Sequence, residues 1–181
     1  MIIAVTNRKL AKYDFLEQIQ RVLEKKPDMI ILREKDLTEE DYKKLAIEVI
    51  SLCKKADIPC ILHSYWKVAI DLEYDKIHLP LPVLLNGIPK QKFHIIGASV
   101  HSVEDAILAE KAGATYIIAG HIFATDCKKN IPPRGLQFFR DVCESVSIPV
   151  FGIGGMTWEK ENAIIQAKGK GICMMSEFMK I

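Results

Sequence analysis

Short apolar segments alternate with longer amphipathic segments along nearly the whole chain. The apolar segments are rich in Ile and Val, which is typical of strands buried on both faces. They lie near residues 2–6, 28–33, 59–63, 75–79, 94–99, 115–120, 148–153 and 170–175. Strands that alternate with helices predict a parallel sheet, and this number of strands predicts closure. We therefore predict an α/β protein, a compact (βα)8 TIM barrel formed by a single domain over residues 1–181.

Side chains that cap helix N-termini precede three of the amphipathic segments. An Asp cap stands before the first helix, and a Ser or Thr followed three residues later by Asp forms a capping box before two others. These caps are Asp14, Thr38 with Asp41, and Ser102 with Asp105. Gly113 follows the third of these segments, where a helix commonly ends in a left-handed residue. Two further helices are predicted near residues 135–145 and 157–168.

The fourth and eighth units depart from this pattern. Pro80, Pro82 and Pro89 interrupt the segment after the fourth strand, which leaves room for one or two helical turns. Few residues follow the eighth strand, so the eighth helix is expected to be missing or truncated. Either the first helix of the same chain or a second subunit must then cover the outer face there. The second option predicts a homodimer.

Charge and composition limit the classes of partner. Apolar residues make up 49% of the chain, charged residues 27%, and the net charge is +2, so we predict an ordinary globular protein without a nucleic-acid partner. No apolar run is long enough for a membrane span, and no signal-peptide pattern is present. The 5 cysteines include no C-x-x-C pair, which favours reduced thiols. These features predict a cytoplasmic protein.

Cationic and glycine-rich positions fall where a barrel enzyme binds anions. Alternation along the second strand places Arg33 and Lys35 on the inward face, although a solvated strand end is the competing interpretation. Gly154 and Gly155 follow the seventh strand, and Met175 and Ser176 follow the eighth. The loops after strands seven and eight commonly hold phosphate in such barrels. The glycines could equally serve a tight turn.

Histidines fall at or just after the ends of four predicted strands. They are His63, His78, His101 and His121. No H-x-H or H-x-x-x-H spacing accompanies them, so we predict structural roles rather than a metal site. His121 differs because it joins a buried strand to a loop with Lys128, Lys129 and Arg134, and imidazole titrates near neutral pH. We predict that His121 is a proton shuttle beside a bound anion. Cys127 is interpreted as a loop thiol.

Several segments, in this order, resemble the thiamine phosphate synthase/TenI family over almost the whole chain. They are Ile-Leu-Arg-Glu-Lys at the second strand, Ile-His-Leu at the fourth, Ile-Ile-Gly-Ala-Ser-Val-His at the fifth, Ala-Gly-His-Ile-Phe-Ala-Thr-Asp-Cys-Lys-Lys at the sixth and Ile-Pro-Val-Phe-Gly-Ile-Gly-Gly-Met at the seventh. Each is weak singly, and together they are specific. The resemblance implies a βα barrel that acts in thiamine biosynthesis.

The family has two branches with different chemistry. Thiamine phosphate synthases need Mg²⁺, and their pattern has an Asn-Asp pair after the third strand and an Asp after the fourth. This chain has His63-Ser64 and Val83 there, and Ile31 replaces the glutamine of the second strand. The loop Gly-His-Ile-Phe-Ala-Thr-Asp-Cys-Lys-Lys-Asn-Ile-Pro-Pro-Arg-Gly is similar to TenI proteins, whereas synthases usually have proline in place of His121.

The resemblance to TenI implies a thiazole tautomerase without metal or cofactor. On this interpretation His121 is the general base, and the expected anion contacts are shared between two ends of the ligand. Gly154, Gly155, Met175 and Ser176 are expected to hold its phosphate, Arg33, Lys35 and Ser99 its carboxylate, and Lys128 either anion. The ligand is a thiazole carboxylate phosphate. Two alternatives stay open: a thiamine phosphate synthase, and a regulatory protein that binds the ligand without turnover.

Overall fold

The computed structural model describes residues 1–125 and 131–181 and contains a closed barrel of parallel strands in the order β1 to β8. The strands are β1 (Ile2–Val5), β2 (Met29–Leu32), β3 (Cys60–His63), β4 (Lys76–Pro80), β5 (Ile95–Val100), β6 (Tyr116–Gly120), β7 (Val150–Ile153) and β8 (Gly171–Met174). Each strand pairs with the next, and β8 pairs with β1. The predicted barrel is confirmed, with each strand inside or within one residue of its predicted range.

Helices follow the strands and form the outer layer. They are α1 (Phe15–Glu24), α2 (Glu39–Lys55), α3 (Trp66–Asp71), α4 (Leu81–Leu85), α5 (Val103–Lys111), α6 (Gly135–Ser145), α7 (Glu161–Gln166) and α8 (Ser176–Met179). Short 3₁₀ segments occupy Arg8–Leu10, Lys90–Lys92 and Trp158–Lys160. None of the helices in the described part of the chain combines the length and apolar character of a bilayer span.

Alternation along the strands divides the core into two regions. Side chains that point inward form a cluster inside the barrel, whereas those that point outward pack under the helices in a larger cluster. The inner cluster contains Ile3, Val5, Ile31, Ile61, Tyr116, Ile118, Phe151 and Cys173. Both faces of the strands are therefore buried, which explains why their sequences read as continuous apolar runs.

The predicted helix caps are present. The Asp14 carboxylate accepts from the Leu16 amide at 3.1 Å. Thr38 and Ser102 accept from the backbone amides three residues later, at 3.1 and 3.0 Å respectively. Gly113 has a φ of +91°, the left-handed conformation expected after α5. These local signals therefore fixed the helix starts correctly.

The fourth and eighth units are short, as predicted. α4 has 5 residues and α8 has 4. α1 supplies the support that α8 lacks: the buried Gln18 donates from Nε2 to the Phe178 carbonyl at 2.9 Å. The Trp158 ring meets the Phe178 ring edge-on, with 5.4 Å between centroids. The chain's own first helix thus covers this region, and the homodimer stays a prediction.

Gln18→Met tests how much the Gln18 amide stabilises α8. The substitution keeps the side-chain volume but removes the donor to the Phe178 carbonyl and the acceptor for the Lys12 amide. Leaving buried polar groups unpaired costs about 1–3 kcal/mol, so we expect a fall of that size in the free energy of unfolding. Urea unfolding with an unchanged m-value measures it.

Gln137→Met is the matched control, because Gln137 is exposed on α6 and its amide donates to Asp141 within the same helix. Its free energy of unfolding should change by less than about 0.5 kcal/mol. Equal effects of the two substitutions would contradict the anchoring role of Gln18.

Candidate active site

The carboxyl ends of the strands bring basic side chains and imidazoles together at one mouth of the barrel. Burial lowers the pKa of both His63 on β3 and His78 on β4, and the positive charge of Lys35 and Arg33, which follow β2, lowers it further. Such coupling requires that the two cations lie near the imidazoles. The inward orientation of Arg33 and Lys35 stays a prediction.

His63 and His78 form a stacked pair within this mouth. Their ring centroids are 5.4 Å apart and the rings are inclined by 24°. Burial is the main cause that lowers the pKa of His78 to about 3, and burial also lowers the pKa of His63 well below its usual value. Both imidazoles are therefore neutral at physiological pH.

Ser99 is joined to this pair through His78. The His78 Nε2 lies 2.8 Å from the Ser99 Oγ, and its Nδ1 lies 3.0 Å from the Tyr116 hydroxyl. Ser99 is half-buried on β5, between β4 and β6. The structure thus places Ser99 beside the neutral histidines, close to the region that Arg33 and Lys35 influence.

His121 follows β6 and contacts a different part of the mouth. Its imidazole is buried, with 4% exposed, and its Nε2 lies 3.2 Å from the Ile131 carbonyl oxygen. The Ile122 amide donates to the Ile153 carbonyl at 2.9 Å, so this segment continues alongside the end of β7. A neighbouring imidazole, His101, donates from Nδ1 to the Gly120 carbonyl at 2.7 Å.

Gly154 and Gly155 form the turn after β7 and pack directly against the His121 segment. Their φ angles are +96° and +62°, which side chains disfavour. A Cβ at Gly154 would also collide with the His121 Cβ, and one at Gly155 would collide with the Ala124 carbonyl. The structure therefore brings His121 and the two glycines together.

Of the remaining predicted ligand contacts, some lie in the described part of the chain and one lies outside it. Met175 and Ser176 are half-buried where β8 leads into α8, and the Met175 sulfur accepts from the Asn7 amide at 3.8 Å. Lys128 lies outside the described residues, as does Cys127. The role predicted for Lys128 therefore stays a prediction.

Glu34 points away from the mouth, as expected for the residue between Arg33 and Lys35. Its buried carboxylate accepts from the Thr6 hydroxyl at 2.6 Å and from the Arg8 amide at 3.0 Å. The Arg8 guanidinium contributes a longer contact of 3.4 Å. Glu34 thus ties the loop after β1 to the end of β2 and has a structural role.

A cavity of about 480 Å³ opens beside the ends of β3 and β4. It is lined by Lys35, Glu39, Ser64, Tyr65, Trp66, Lys67 and Pro80. The cavity therefore shares Lys35 with the predicted site but does not border His121 or the glycine turn. In the parts of the chain that the structure describes, no three His, Cys, Asp or Glu side chains converge as metal ligands would.

Two features of the mouth were not predicted from the sequence. The first is the His63–His78 pair with Tyr116, which forms across neighbouring strands and has no local spacing signature. The second is Lys160, whose ammonium donates to the Gly155 carbonyl at 2.5 Å and lies 4.7 Å from the Phe123 ring centroid. Lys160 follows the Gly154-Gly155 turn closely in the sequence, and this proximity was the pattern that could have indicated its contact with the turn.

Comparison with known proteins agrees with this architecture. The family model for thiamine monophosphate synthase (TMP-TENI) matches residues 2–178. The chain belongs to the thiamine monophosphate synthase family. This match confirms the resemblance at the level of the family and places the chain in an enzyme family of thiamine biosynthesis.

Three similar proteins illustrate the relationship. A putative thiamine-phosphate synthase 2 of Aquifex aeolicus is 37% identical over 98% of this chain and 96% of that protein. A thiamine-phosphate synthase of Clostridium acetobutylicum is 31% identical over 95% of this chain and 83% of that protein. The solved thiamine phosphate pyrophosphorylase of Pyrococcus furiosus superposes with a TM-score of 0.86 at 29% identity, covering 99% and 87% of the two chains.

These names concern the synthase branch, so the narrower assignment of this family member to the TenI branch stays a prediction.

The neutral histidines predict how stability depends on pH. The folded pKa of His78 is about 3, below the value near 6.5 in an unfolded chain, so the unfolded state binds more protons between these values. Stability is therefore fully present above about pH 6.5 and falls as the pH decreases, by up to about 1.4 kcal/mol per pH unit for each such histidine. Urea unfolding at pH 7, 6 and 5 measures the slope.

His78→Asn should make the dependence of stability on pH less steep by up to about 1.4 kcal/mol per pH unit, since one group that takes up a proton on unfolding is removed. His94→Asn is the matched control, because His94 is exposed before β5. If His78→Asn leaves the slope as steep as in the control, burial of a neutral His78 is wrong.

Proposed function

We propose that this family member is a thiazole tautomerase, which converts the alkylidene dihydrothiazole carboxylate phosphate into its aromatic carboxythiazole phosphate isomer. The observation that carries the proposal is the contact between the His121 Nε2 and the Ile131 carbonyl oxygen at 3.2 Å. A carbonyl oxygen only accepts, so Nε2 must carry the hydrogen. The neutral imidazole then has its lone pair on Nδ1, which makes Nδ1 the basic nitrogen.

Proton transfer in this isomerisation uses one base and no redox step. The His121 Nδ1 takes the proton from the ring carbon C2, and the electron pair of that C–H bond enters the ring as it becomes aromatic. The double bond to the exocyclic carbon supplies its electrons to a new C–H bond, formed with the proton that the imidazolium returns. The atoms and charge of substrate and product are equal, so one imidazole serves as base and then as acid.

Burial of His121 suits this role. With 4% exposed, the imidazole is shielded from bulk water, which would otherwise compete for the proton held between the two steps. The hydrogen bond to the Ile131 carbonyl also becomes stronger when the imidazole is protonated, because the donor then carries charge. The imidazolium intermediate is therefore stabilised where it forms.

Anion binding is supported on two sides of the mouth. The carbonyls of Gly154 and Gly155 accept from the Phe123 amide and the Lys160 ammonium, which fixes the turn after β7, where such barrels commonly hold a phosphate. Met175 and Ser176 would complete that site at the next strand. Arg33 and Lys35, with Ser99, would bind the carboxylate.

His121→Gln tests the base. Glutamine keeps a hydrogen-bonding group of similar length but cannot exchange a proton near neutral pH. General acid–base catalysis typically contributes about 10²- to 10⁴-fold, so we expect kcat to fall by that factor with KM nearly unchanged. The absorbance change on aromatisation measures turnover.

His94→Gln serves as the control, since this exposed histidine lies at the amino-terminal end of β5, opposite the mouth. Its kcat should equal that of the wild type. A fully active His121→Gln enzyme would contradict the tautomerase proposal.

Thiamine phosphate synthase is the second candidate, and the names of the Aquifex aeolicus and Clostridium acetobutylicum relatives favour it. That reaction couples a pyrimidine diphosphate to a thiazole phosphate with Mg²⁺, which prefers carboxylate oxygens. The ends of β3 and β4 instead present the neutral His63 and His78 beside cations that lower their pKa. In the described part of the chain, this donor set does not fit Mg²⁺.

A coupling assay separates the two candidates. The enzyme is incubated with the pyrimidine diphosphate and the thiazole phosphate, with and without Mg²⁺, and thiamine phosphate is measured. We expect no Mg²⁺-dependent product from the enzyme that isomerises the thiazole carboxylate. Coupling at a rate comparable to isomerisation would make the synthase the correct assignment.

A further inference from the structure

A glycine allows side chains from two non-adjacent strands to meet inside the barrel. His78 on β4 is paired in register with Gly97 on β5, and Gly97 is paired with Tyr116 on β6. A Cβ at Gly97 would collide with both the Tyr116 ring and the His78 Nδ1. The missing side chain of Gly97 is therefore what lets the Tyr116 hydroxyl reach the His78 Nδ1 at 3.0 Å.

The direction of this hydrogen bond follows from the surroundings of Tyr116. Its hydroxyl is buried, its pKa is raised well above the usual value by that burial, and its hydrogen-bond partner in the described structure is His78. If the hydroxyl accepted from Nδ1, its own hydrogen would be buried without an acceptor, at a cost of about 1–3 kcal/mol. Tyr116 therefore donates to Nδ1.

The hydrogen position on His78 is then determined. A neutral imidazole carries one hydrogen, and since Nδ1 accepts from Tyr116, this hydrogen lies on Nε2. Nε2 is 2.8 Å from the Ser99 Oγ and donates to it. The Ser99 oxygen is occupied as an acceptor, so its own hydrogen is directed away from His78.

We propose that Tyr116 and His78 are positioning residues that hold the Ser99 hydroxyl as a hydrogen-bond donor to the carboxylate of the ligand. This inference rests on the proposed function and identifies what selects the carboxylate at that site. Arg33 and Lys35 supply charge to the same part of the mouth, as their effect on His78 shows. Charge alone attracts any anion, whereas a donor fixed in direction favours an acceptor at one place.

Ser99→Ala and Tyr116→Phe test the proposal at its two ends. Ser99→Ala removes the donor. Tyr116→Phe leaves it in place but removes the group that keeps the His78 hydrogen on Nε2, so Ser99 donates to Nε2 instead of to the ligand in part of the molecules. A hydrogen bond to a charged group supports a loss of about tenfold or more in affinity for Ser99→Ala, and we expect a smaller loss for Tyr116→Phe.

Two probes make the readout specific. Carboxythiazole phosphate carries both anions, and the thiazole phosphate without the carboxylate carries one. Calorimetry should show the loss of affinity for the first probe alone. In the double variant, the Tyr116→Phe substitution should have no further effect, because the group it positions is absent. Equal losses for both probes, or additive effects of the two substitutions, would overturn the proposal.

Tyr74→Phe is the matched control. The Tyr74 hydroxyl donates to the Cys60 carbonyl at 2.7 Å, away from the mouth, so this variant loses a hydroxyl of the same kind without touching His78. Its affinity for both probes should match that of the wild type.

Nitrogen NMR of the His78 ring reads the hydrogen position without any ligand. The wild type should show hydrogen on Nε2, and Tyr116→Phe should shift it at least partly to Nδ1. Hydrogen on Nδ1 in the wild type would overturn this inference while leaving the tautomerase reaction possible. A wild-type protein that binds neither probe would refute the proposed function and the inference with it, whatever the tautomer.

Discussion

Pairing of β8 with β1 is the constraint on which the geometry of the mouth depends. All strands are parallel, so closure brings every carboxyl end to one rim and every residue after a strand toward the same opening. Side chains as far apart in sequence as Arg33, His78 and His121 are therefore neighbours of one mouth. Side chains alternate along each strand, so a shift of one residue in register would exchange inward and outward side chains. The interior cluster around Ile31, Ile118 and Phe151 opposes such a shift.

The eighth βα unit is short, but its core packing beneath this rim is complete. α8 is a single turn, yet Phe178 and Met179 are fully buried. Gln18 satisfies a carbonyl that a longer helix would bond internally, and Trp158 supplies aromatic surface from the preceding unit. The end of β8, which carries Met175 and Ser176, is thus supported by α1 and by the segment before α7.

The sequence predicted the parts of this structure that depend on local patterns. Runs of Ile and Val located the strands because both strand faces are buried, and the capping boxes at Thr38 and Ser102 located helix starts because one side chain satisfies one amide. Parity along β2 placed Glu34 outward, where it binds Thr6 and Arg8. Such features involve residues only a few positions apart.

The links among His78, Tyr116 and Ser99 could not be predicted in this way. They depend on the register of three strands and on the missing side chain of Gly97, and neither is visible in the residues around His78. Isolated histidines in a sequence suggest structural roles or metal ligands, and only the assembled barrel shows which hydrogen each ring nitrogen holds. His121 illustrates the same limit, because its carbonyl partner, Ile131, lies 10 positions later in the chain.

Charge at the mouth connects these observations to the choice between the two reactions. Burial and the positive charge of Arg33 and Lys35 act on His63 and His78 in the same direction, and both favour the neutral imidazole. The positive charge of Arg33 and Lys35 also disfavours a divalent cation and favours an anion, whereas burial disfavours a charge of either sign. In the proposed reaction, the ends of β3 and β4 would receive the carboxylate and the glycine turn after β7 would receive the phosphate. On that proposal, a ligand with both groups would extend from the ends of β3 and β4 toward the His121 segment, and His121 would transfer the proton without a metal.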